Sequence, residues 1–290
     1  LCQGVRAKYA FMRAHIGEFR LVAMCRVLGV HRSGYYAWVR QSASLRERED
    51  QRLLGLIKHF WLASGGVYGH RKITLDLREA GETCSRHRVQ RLMKAEGLRA
   101  QVGYGSKPRH RGGPVGVVDN VLNRDFAPDA PNKVWVTDIT YIRTASGWLY
   151  LAAVLDLHSR KVVGWSMSPS MPCELVCSAL QMAITPRQPP KGLIVHSDRG
   201  SQYASAAHSE LLSRHHCIAS MSRKGNCWDN AVMERFFLNL KMERVWRRQY
   251  ANHTEAIADI ADYIVNFYNT RRLHSALGYR SPVDYEQAVA

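Results

Sequence analysis

Long apolar runs are scarce in this sequence of 290 residues. The longest, residues 148–155, is followed by Asp156 and is far shorter than the ~20 residues that span a membrane. No charged and then apolar leader occurs at the beginning, so we expect neither secretion nor membrane insertion. The sequence therefore predicts that no membrane partner is involved.

Cysteine pairs with the spacing of metal ligands are also missing. The seven cysteines are scattered, and no two of them form the C-x-x-C pattern of many zinc sites. Cys173 and Cys177 are four residues apart in a predicted helix, a spacing typical of one packed helix face. An odd number of scattered thiols fits a reducing compartment. We therefore expect no zinc site.

Acidic residues are few, 24 against 41 basic ones, which gives a formal net charge of +17. The excess is uneven, because residues 1–125 carry 23 of the basic side chains and only 10 of the acidic ones. A basic half beside a nearly neutral half is typical of a polyanion-binding region joined to a region with another task. Solubility alone is the competing explanation of the charge.

Residues 1–43 are predicted to form a helix-turn-helix-like segment. An apolar helix ends at Gly29, and a second begins near residues 31–33, where Ser33 is the candidate N-cap. In a helix-turn-helix unit the second helix enters the major groove of DNA. Many helical pairs that never bind DNA share this pattern, so it indicates DNA binding only weakly.

Residues 44–104 are predicted to form a helical DNA-binding domain. Its most basic helix has Ser85 as predicted N-cap and ends at Gly97. Each basic side chain alone fits a solvated helix face equally well, but the cluster favours contact with DNA phosphates. The predicted DNA-contacting residues of this domain are Arg71, Lys72, Arg86, Arg88, Arg91 and Lys94.

Glycine and proline interrupt residues 105–130, which we interpret as a basic linker. Residues 131–290 then alternate between strands and helices. Three consecutive strands are predicted at residues 134–143, 148–156 and 161–168. Alternating helices and strands follow, which indicates an α/β domain whose mixed sheet is flanked by helices.

Three carboxylates have positions that suit a metal site. Asp138 lies within the apolar first strand, and Asp198 directly follows a strand predicted at residues 192–196. Glu234 lies in the opening turns of a helix predicted over residues 229–247. A strand-end hydrogen bond, a turn and a solvated helix would explain each one alone. Together at one end of a sheet, such carboxylates can hold two Mg²⁺ ions for phosphodiester chemistry.

Several motifs carry a family resemblance: WVTDITYI from Trp135, HSDRGSQY from His196, GNCWDNA from Gly225, ERFF from Glu234 and YNTRRLHSALGYRSP from Tyr268. They resemble the downstream-frame (OrfB) transposases of the IS-three insertion-sequence family, which belongs to the DDE retroviral-integrase superfamily. Thirty-five residues separate Asp198 from Glu234, as in the acidic triad of that family.

The resemblance implies an RNase H-like integrase catalytic core over residues 131–290, including C-terminal helices. Asp138, Asp198 and Glu234 would be its catalytic residues and would hold two Mg²⁺ ions, for which Mn²⁺ can substitute. Arg199 and Lys241 match positions expected to hold DNA. The positions expected to shape the site are His196, Ser197 and Gln202, although support of the Asp198 loop explains Ser197 and Gln202 nearly as well. Asp156 and Asp229 are rival carboxylates with structural explanations, a strand end and a helix cap.

The implied function is that of a DNA transposase, which cleaves at insertion-sequence ends and transfers the strand through a 3′ hydroxyl. Its partners would be double-stranded DNA (the terminal inverted repeats and the target), further copies of itself and an upstream-frame OrfA protein joined by frameshift fusion. Its place would be the bacterial cytoplasm, at the nucleoid. A structure-specific nuclease of the same superfamily and a DNA-binding regulator with an inactive core are the alternatives.

Overall fold

A computed structural model describes most of the chain, namely residues 4–40, 45–101, 120–122, 127–222 and 230–288. Most of the predicted linker and the predicted cap residue Asp229 lie outside these ranges. Within them, no helix is both long and apolar enough to cross a membrane.

Three short helices begin the chain: α1 (Val5–Ala14), α2 (Leu21–Leu28) and α3 (Arg32–Arg40). Gly29 follows α2 in the left-handed conformation, with φ of 62°, as predicted for a residue that ends a helix. The N-cap prediction for Ser33 is wrong, because Ser33 is the second residue of α3 and not the residue before it. The three helices pack around a small core of aromatic and sulfur-containing side chains.

The next three helices, α4 (Leu45–Ala63), α5 (His70–Glu79) and α6 (Arg86–Ala95), are called the helical domain below. Their apolar faces share one core, in which α5 and α6 lie against the longer α4. Ser85 caps α6 as predicted, since its hydroxyl accepts a hydrogen bond of 3.2 Å from the amide of Arg88.

A five-stranded mixed sheet forms the centre of the second half, which confirms the predicted α/β class. Its strands are β1 (Val134–Thr144), β2 (Gly147–Asp156), β3 (Val162–Ser168), β4 (Ile194–Ser197) and β5 (Ile218–Met221). Their order is β3-β2-β1-β4-β5, with β1 at the centre. The first three strands form an antiparallel meander, while β4 runs parallel to both β1 and β5.

Helices cover both faces of this sheet. The helices are α7 (Cys173–Arg187), α8 (Ala206–Arg214), α9 (Ala231–Glu243), α10 (His253–Asp262) and α11 (Pro282–Gln287). One face packs against α7 and α8, and the other packs against α9 and α10. The helix predicted over residues 229–247 ends earlier than expected, because the chain tightens into a 3-10 turn at Val245–Arg247.

A close approach between β3 and α7 depends on Gly164. A Cβ atom at this position would collide with the carbonyl oxygen of Ala179 and lie 2.7 Å from the amide nitrogen of Ala183. Both are backbone atoms, which cannot move aside without displacing α7. The absence of a side chain at Gly164 therefore sets the distance between α7 and the sheet.

The helical domain contacts the C-terminal part of the chain. The hydroxyl of Tyr68 donates to the carbonyl oxygen of Arg271 (3.0 Å) and accepts from the amide of Leu273 (2.9 Å). The side chains of Phe267 and Leu273 pack against the core of the helical domain. These contacts join the helical domain to the segment that follows α10.

Candidate active site

The parallel pairing of β1 with β4 places two of the predicted carboxylates side by side. The paired positions include Val136 with His196, and the same register carried two residues further sets Asp138 opposite Asp198. Asp198 directly follows Ser197, the last residue of β4. Both aspartates therefore lie where β4 ends beside the central strand, a position where open α/β sheets commonly bind ligands.

Backbone amides hold one oxygen of each aspartate. The amide of Ile139 donates to Oδ1 of Asp138 at 2.8 Å, and the amide of Gly200 donates to Oδ1 of Asp198 at 2.9 Å. Within the described part of the chain, these are the only hydrogen bonds of the two carboxylates. The second oxygen of each carboxylate is therefore available for a ligand.

The third carboxylate, Glu234, approaches from α9. The side-chain amide of Asn230, the residue before this helix, donates to the carbonyl oxygen of Thr137 at 3.3 Å. This contact attaches the start of α9 to β1 next to Asp138. Glu234 lies in the first turn of the helix with an exposed side chain.

The electrostatics of Asp138 reflect these neighbours. Loss of hydration raises the pKa of Asp138 well above its usual range, and the negative charge of Asp198 raises it further. The charge of Glu234 acts in the same direction, whereas the amide of Ile139 and the ammonium of Lys241 oppose it. Asp138 is thus close enough to both other carboxylates to feel their charges, which disfavour its ionised form.

The three carboxylates nevertheless do not form a closed cage. Among the residues that the structure describes, no three His, Cys, Asp or Glu side chains converge closely enough to hold one metal ion. The arrangement is an open set of oxygen donors, two of them on adjacent strands and the third on a helix.

Comparisons with known proteins identify the family. A model of the integrase core domain matches residues 128–227, a second integrase core model matches residues 215–282, and an HTH-like domain model matches residues 47–104. The transposase InsF for insertion sequence IS3A of Escherichia coli K12 is 42% identical over 282 residues, covering 96% of this chain and 98% of the relative. The chain belongs to the IS3 family of transposases.

A 31 kDa protein of insertion element IS600 from Shigella sonnei is also 42% identical, over 91% of this transposase and 97% of that protein. Among solved structures, a simian T-cell lymphotropic virus intasome aligns with 78% of this chain and 73% of its own, at 16% identity and a TM-score of 0.47. The HTLV-2 integrase catalytic core in complex with magnesium aligns with 55% of this chain and 98% of its own, at 18% identity and a TM-score of 0.43.

Family membership confirms the predicted enzyme class. The transposase has an integrase core of the DDE polynucleotidyl transferase type, preceded by an HTH-like domain. It acts on DNA, and neither the nuclease nor the regulator alternative gains support from any relative.

Near the aspartates of the transposase, the predicted site-shaping residues organise β4, β5 and the following loop. The buried ring of His196 hydrogen-bonds to the hydroxyls of Ser220 (2.9 Å) and Ser222 (3.1 Å), which lie in and just after β5. The hydroxyl of Ser197 donates to the carbonyl oxygen of Asp198, and the side-chain amide of Gln202 donates to the carbonyl oxygen of Met171.

Sequence reasoning did not single out Tyr203, which is fully buried close to the two aspartates. Its hydroxyl shares a hydrogen bond of 3.1 Å with Thr137, the residue before Asp138. Burial raises the pKa of Tyr203 well above its usual range, and the charges of Asp138 and Asp198 add to this effect. Its place at the end of the HSDRGSQY motif was the available signal. Tyr203 therefore holds β1 at the residue before Asp138.

The rival carboxylate Asp156 has the structural role predicted for it. It is fully buried at the end of β2. Its acceptors are saturated by the amides of Asn132, His158 and Ser159 and by the indole of Trp135. No oxygen of Asp156 remains for a metal ion. Asp229 lies outside the described residues.

The predicted DNA-contacting residues have different surroundings. Arg71, Arg86 and Lys94 are exposed and form no ion pair within the described ranges. Arg88 and Arg91 both pair with Asp50, each at 2.7 Å.

The other three predicted DNA-contacting residues are Lys72 in the helical domain and Arg199 and Lys241 in the integrase core. Lys72 is half-buried with its ammonium 4.6 Å from the centre of the Tyr68 ring, and burial lowers its pKa to about 8. In the core, the guanidinium of Arg199 donates to the carbonyl oxygen of Ser222. Lys241 lies on α9, over the ring of Tyr141.

Proposed function

We propose that Asp138, Asp198 and Glu234 are the catalytic residues of this transposase and that they hold two Mg²⁺ ions at the scissile phosphate. The observation that carries this assignment is the adjacency of Asp138 and Asp198, each with one oxygen free of hydrogen bonds within the described residues. Their donor set fits the ion, because Mg²⁺ prefers carboxylate oxygens and keeps several positions for water and substrate phosphates. An open set of carboxylates suits such a shared coordination shell.

Asp138 would hold metal together with the other two carboxylates, because it lies on the central strand and feels the charges of both. Asp198 and Glu234 would each complete the shell of one ion. Bound Mg²⁺ supplies Lewis acidity, which lowers the pKa of a coordinated hydroxyl and neutralises charge on the leaving oxygen.

The transposase carries out two successive substitutions at phosphorus. Water attacks a phosphodiester at the end of the element, the bond to the 3′ oxygen breaks, and a 3′ hydroxyl and a 5′ phosphate result. The 3′ hydroxyl then attacks a phosphodiester of the target, which joins the strands and releases a new 3′ hydroxyl. Lys241 lies on the same helix as Glu234, seven residues further on, and holds the phosphate backbone.

Joining assays test this function. We expect the chain fused to its OrfA partner to join a labelled element-end duplex to a target plasmid in Mg²⁺ or Mn²⁺, whereas the chain alone should not join element ends specifically. Removal of the metal with EDTA should abolish joining, and Ca²⁺ should support binding but little joining, because it tolerates looser geometry. The products are separated on a denaturing gel. Nicking without joining would favour the nuclease alternative, and DNA binding without either reaction would favour the regulator.

We also propose the wider assembly in which this transposase acts. Double-stranded DNA, in the form of terminal inverted repeats and target, is bound by an oligomer of the transposase. OrfA, joined by frameshift fusion, supplies end recognition and multimerisation. The enzyme works in the bacterial cytoplasm, at the nucleoid.

The helical domain contributes the sequence-independent part of DNA binding. Arg86→Ala and Lys94→Ala should each weaken binding to all duplexes alike and reduce the slope of log affinity against log salt by about 1, because each removes one phosphate contact. Fluorescence anisotropy at several salt concentrations measures this slope. Arg91→Ala should have a smaller effect, since Asp50 already engages Arg91. Unchanged slopes for both Arg86→Ala and Lys94→Ala would contradict this role.

A further inference from the structure

A groove of about 610 Å³ lies beside the hairpin that joins the end of β1 to the start of β2. Its other side is formed by the end of α9 and the turn that follows it. It is lined by large aromatic and basic side chains, chiefly Tyr141, Arg143, Trp148, Lys241, Trp246 and Arg248. No acidic residue lines it within the described part of the chain. Nothing in the chemistry of the carboxylates accounts for this combination.

The aromatic side chains of the groove are unusually exposed. Tyr141 is 57%, Trp148 42% and Trp246 56% exposed, although large aromatic residues are mostly buried in folded proteins. The rings of Tyr141 and Trp148 meet edge to face, with centres 5.3 Å apart. This contact fixes the orientation of the two rings relative to each other.

Cations lie over two of these rings. The guanidinium of Arg143 is 5.1 Å from the centre of the Trp148 ring, and the ammonium of Lys241 is 4.4 Å from that of Tyr141. Neither Arg143 nor Lys241 forms an ion pair within the described ranges, whereas Arg248 is bound to Asp259 at 2.6 Å. The groove therefore offers two positive charges to an anion beside flat apolar surfaces.

The groove is connected to the proposed catalytic centre. Tyr141 is three residues beyond Asp138 on β1, and Lys241 is close enough to Asp138 to feel its charge. Although Asp138 and Tyr141 point to opposite faces of β1, Lys241 reaches both, because its ammonium lies over the Tyr141 ring and also feels the charge of Asp138. The pairing with β4 stops before Tyr141, so the strand edge between the two residues carries no neighbouring strand.

We propose that this aromatic groove binds unpaired nucleotides at the DNA end, with bases stacked on Trp148 and Trp246 and phosphates held by Arg143 and Lys241. The inference rests on the proposed function, because it places the scissile phosphate at Asp138. Stacking needs the face of a base, which is accessible only when the nucleotide leaves the duplex. A duplex backbone would use the cations but leave the aromatic faces unused. An apolar protein surface would use the rings but leave the cations without counter-charges.

The test compares duplexes that differ only at one end. The full chain is titrated, in Ca²⁺, with a blunt duplex and with the same duplex carrying a short unpaired tail that contains 2-aminopurine. We expect the tail to bind with quenching of 2-aminopurine fluorescence, which reports stacking. Trp246→Ala should weaken binding of the tailed duplex by roughly 5- to 150-fold, the range of one lost stacking contact, and abolish the quenching. Binding of the blunt duplex should be unchanged.

Matched variants make the result specific. Trp246→Phe should retain most of the quenching, because a ring remains, and Trp148→Ala should show a partial loss. Tyr279→Ala removes an exposed ring outside both the groove and the predicted DNA-binding segments, and it should leave tail binding intact. Equal losses for blunt and tailed duplexes, or quenching that survives Trp246→Ala, would overturn the proposal. A third outcome would also overturn it: Trp246→Ala leaves tail binding unchanged but makes the protein monomeric in sedimentation. The groove would then be a contact between copies of the chain.

Failure of the catalytic assignment would give a different pattern. Asp138→Asn should retain the quenching, because tail binding precedes chemistry. If Asp138→Asn still joined DNA while the quenching depended on Trp246, the assignment of the carboxylates would fail and the groove would stand. If Asp138→Asn were inactive and no variant of the groove altered the quenching, the assignment of the carboxylates would stand and the groove proposal would fail.

Discussion

Asp138→Asn is expected to lower the rates of cleavage and strand transfer by at least ~10³-fold, and Asp198→Asn and Glu234→Gln should do the same. Each change removes the charge of one proposed metal ligand at nearly constant size. Metal ions contribute several kcal/mol to stabilising such transition states, and each 1.36 kcal/mol is worth a factor of ten in rate. Nicked and joined products are measured over time in Mg²⁺, with DNA affinity determined separately in Ca²⁺, where we expect little change.

Stability should move in the opposite direction for Asp138→Asn. The pKa of Asp138 is raised in the folded protein, so deprotonation at neutral pH opposes folding when no metal is bound. A neutral amide removes that penalty, and the metal-free variant should melt at a higher temperature than the wild type at pH 7. This difference should shrink as the pH falls towards the unfolded-state pKa of aspartate, because the wild-type carboxyl then becomes neutral as well.

Asp156→Asn is the control for these variants. The carboxylate of Asp156 is buried and accepts from several donors, so an amide in its place turns one acceptor into a donor that faces other donors. We expect a loss of roughly 1–3 kcal/mol in unfolding free energy, with metal-dependent joining retained at low temperature. If Glu234→Gln kept normal nicking while Asp156→Asn lost it, the third ligand would be misassigned.

Arg272→Ala is expected to cost about 3–5 kcal/mol in unfolding free energy, the largest stability loss that we predict. Arg272 binds both oxygens of Glu243, the last residue of α9, at 2.6 to 3.1 Å, and both side chains are buried. The hydroxyl of Tyr263 donates to the same carboxylate at 2.7 Å. Removal of Arg272 would leave a buried carboxylate without its counter-charge. Urea unfolding measures the change.

An exposed ion pair provides the comparison. Arg214 and Glu210 pair at 2.9 Å on the surface of α8, where water screens the attraction, so Arg214→Ala should cost at most about 0.5 kcal/mol. Replacing Glu243 and Arg272 together by Gln and Met should recover much of the Arg272→Ala loss, since no unpaired charge remains. A loss below about 1 kcal/mol for Arg272→Ala would show that water reaches Glu243.

Local patterns in the sequence were sufficient for much of the fold. The strand predicted at residues 134–143 became Val134–Thr144, because Val, Ile, Tyr and Trp favour a pleated, half-buried surface. The Ser33 cap was wrong because a serine before a helix and a serine in its first turn look alike in sequence. The end of α9 was missed because Val245 and Trp246 continue an apolar pattern, although Arg244 leaves the helical conformation with φ of −134°.

Contacts between distant parts of the chain were not predictable. The adjacency of Asp138 and Asp198 followed from two neighbouring strand ends, but the support that Tyr203 and Asn230 give to β1 has no periodic signal. The surroundings of Lys72 depend on a segment about 200 residues away. Its ammonium lies over the ring of Tyr68, and the hydroxyl of Tyr68 bonds to Arg271 and Leu273. Its charge alone indicated DNA.

The placement of the three carboxylates has a consequence for the order of protein synthesis. Asp138 and Asp198 are brought together by β1 and β4, whose paired residues are 60 positions apart in the sequence. Glu234 joins them only when α9 packs on the sheet. Met233, Phe236 and Leu240 of this helix are fully buried and cover the sheet, so the step that closes the core also delivers Glu234. Such non-local contacts form late. If Glu234 is the third metal ligand as proposed, a chain still emerging from the ribosome can expose its basic helices to DNA, but it cannot cut until α9 has been made and has docked.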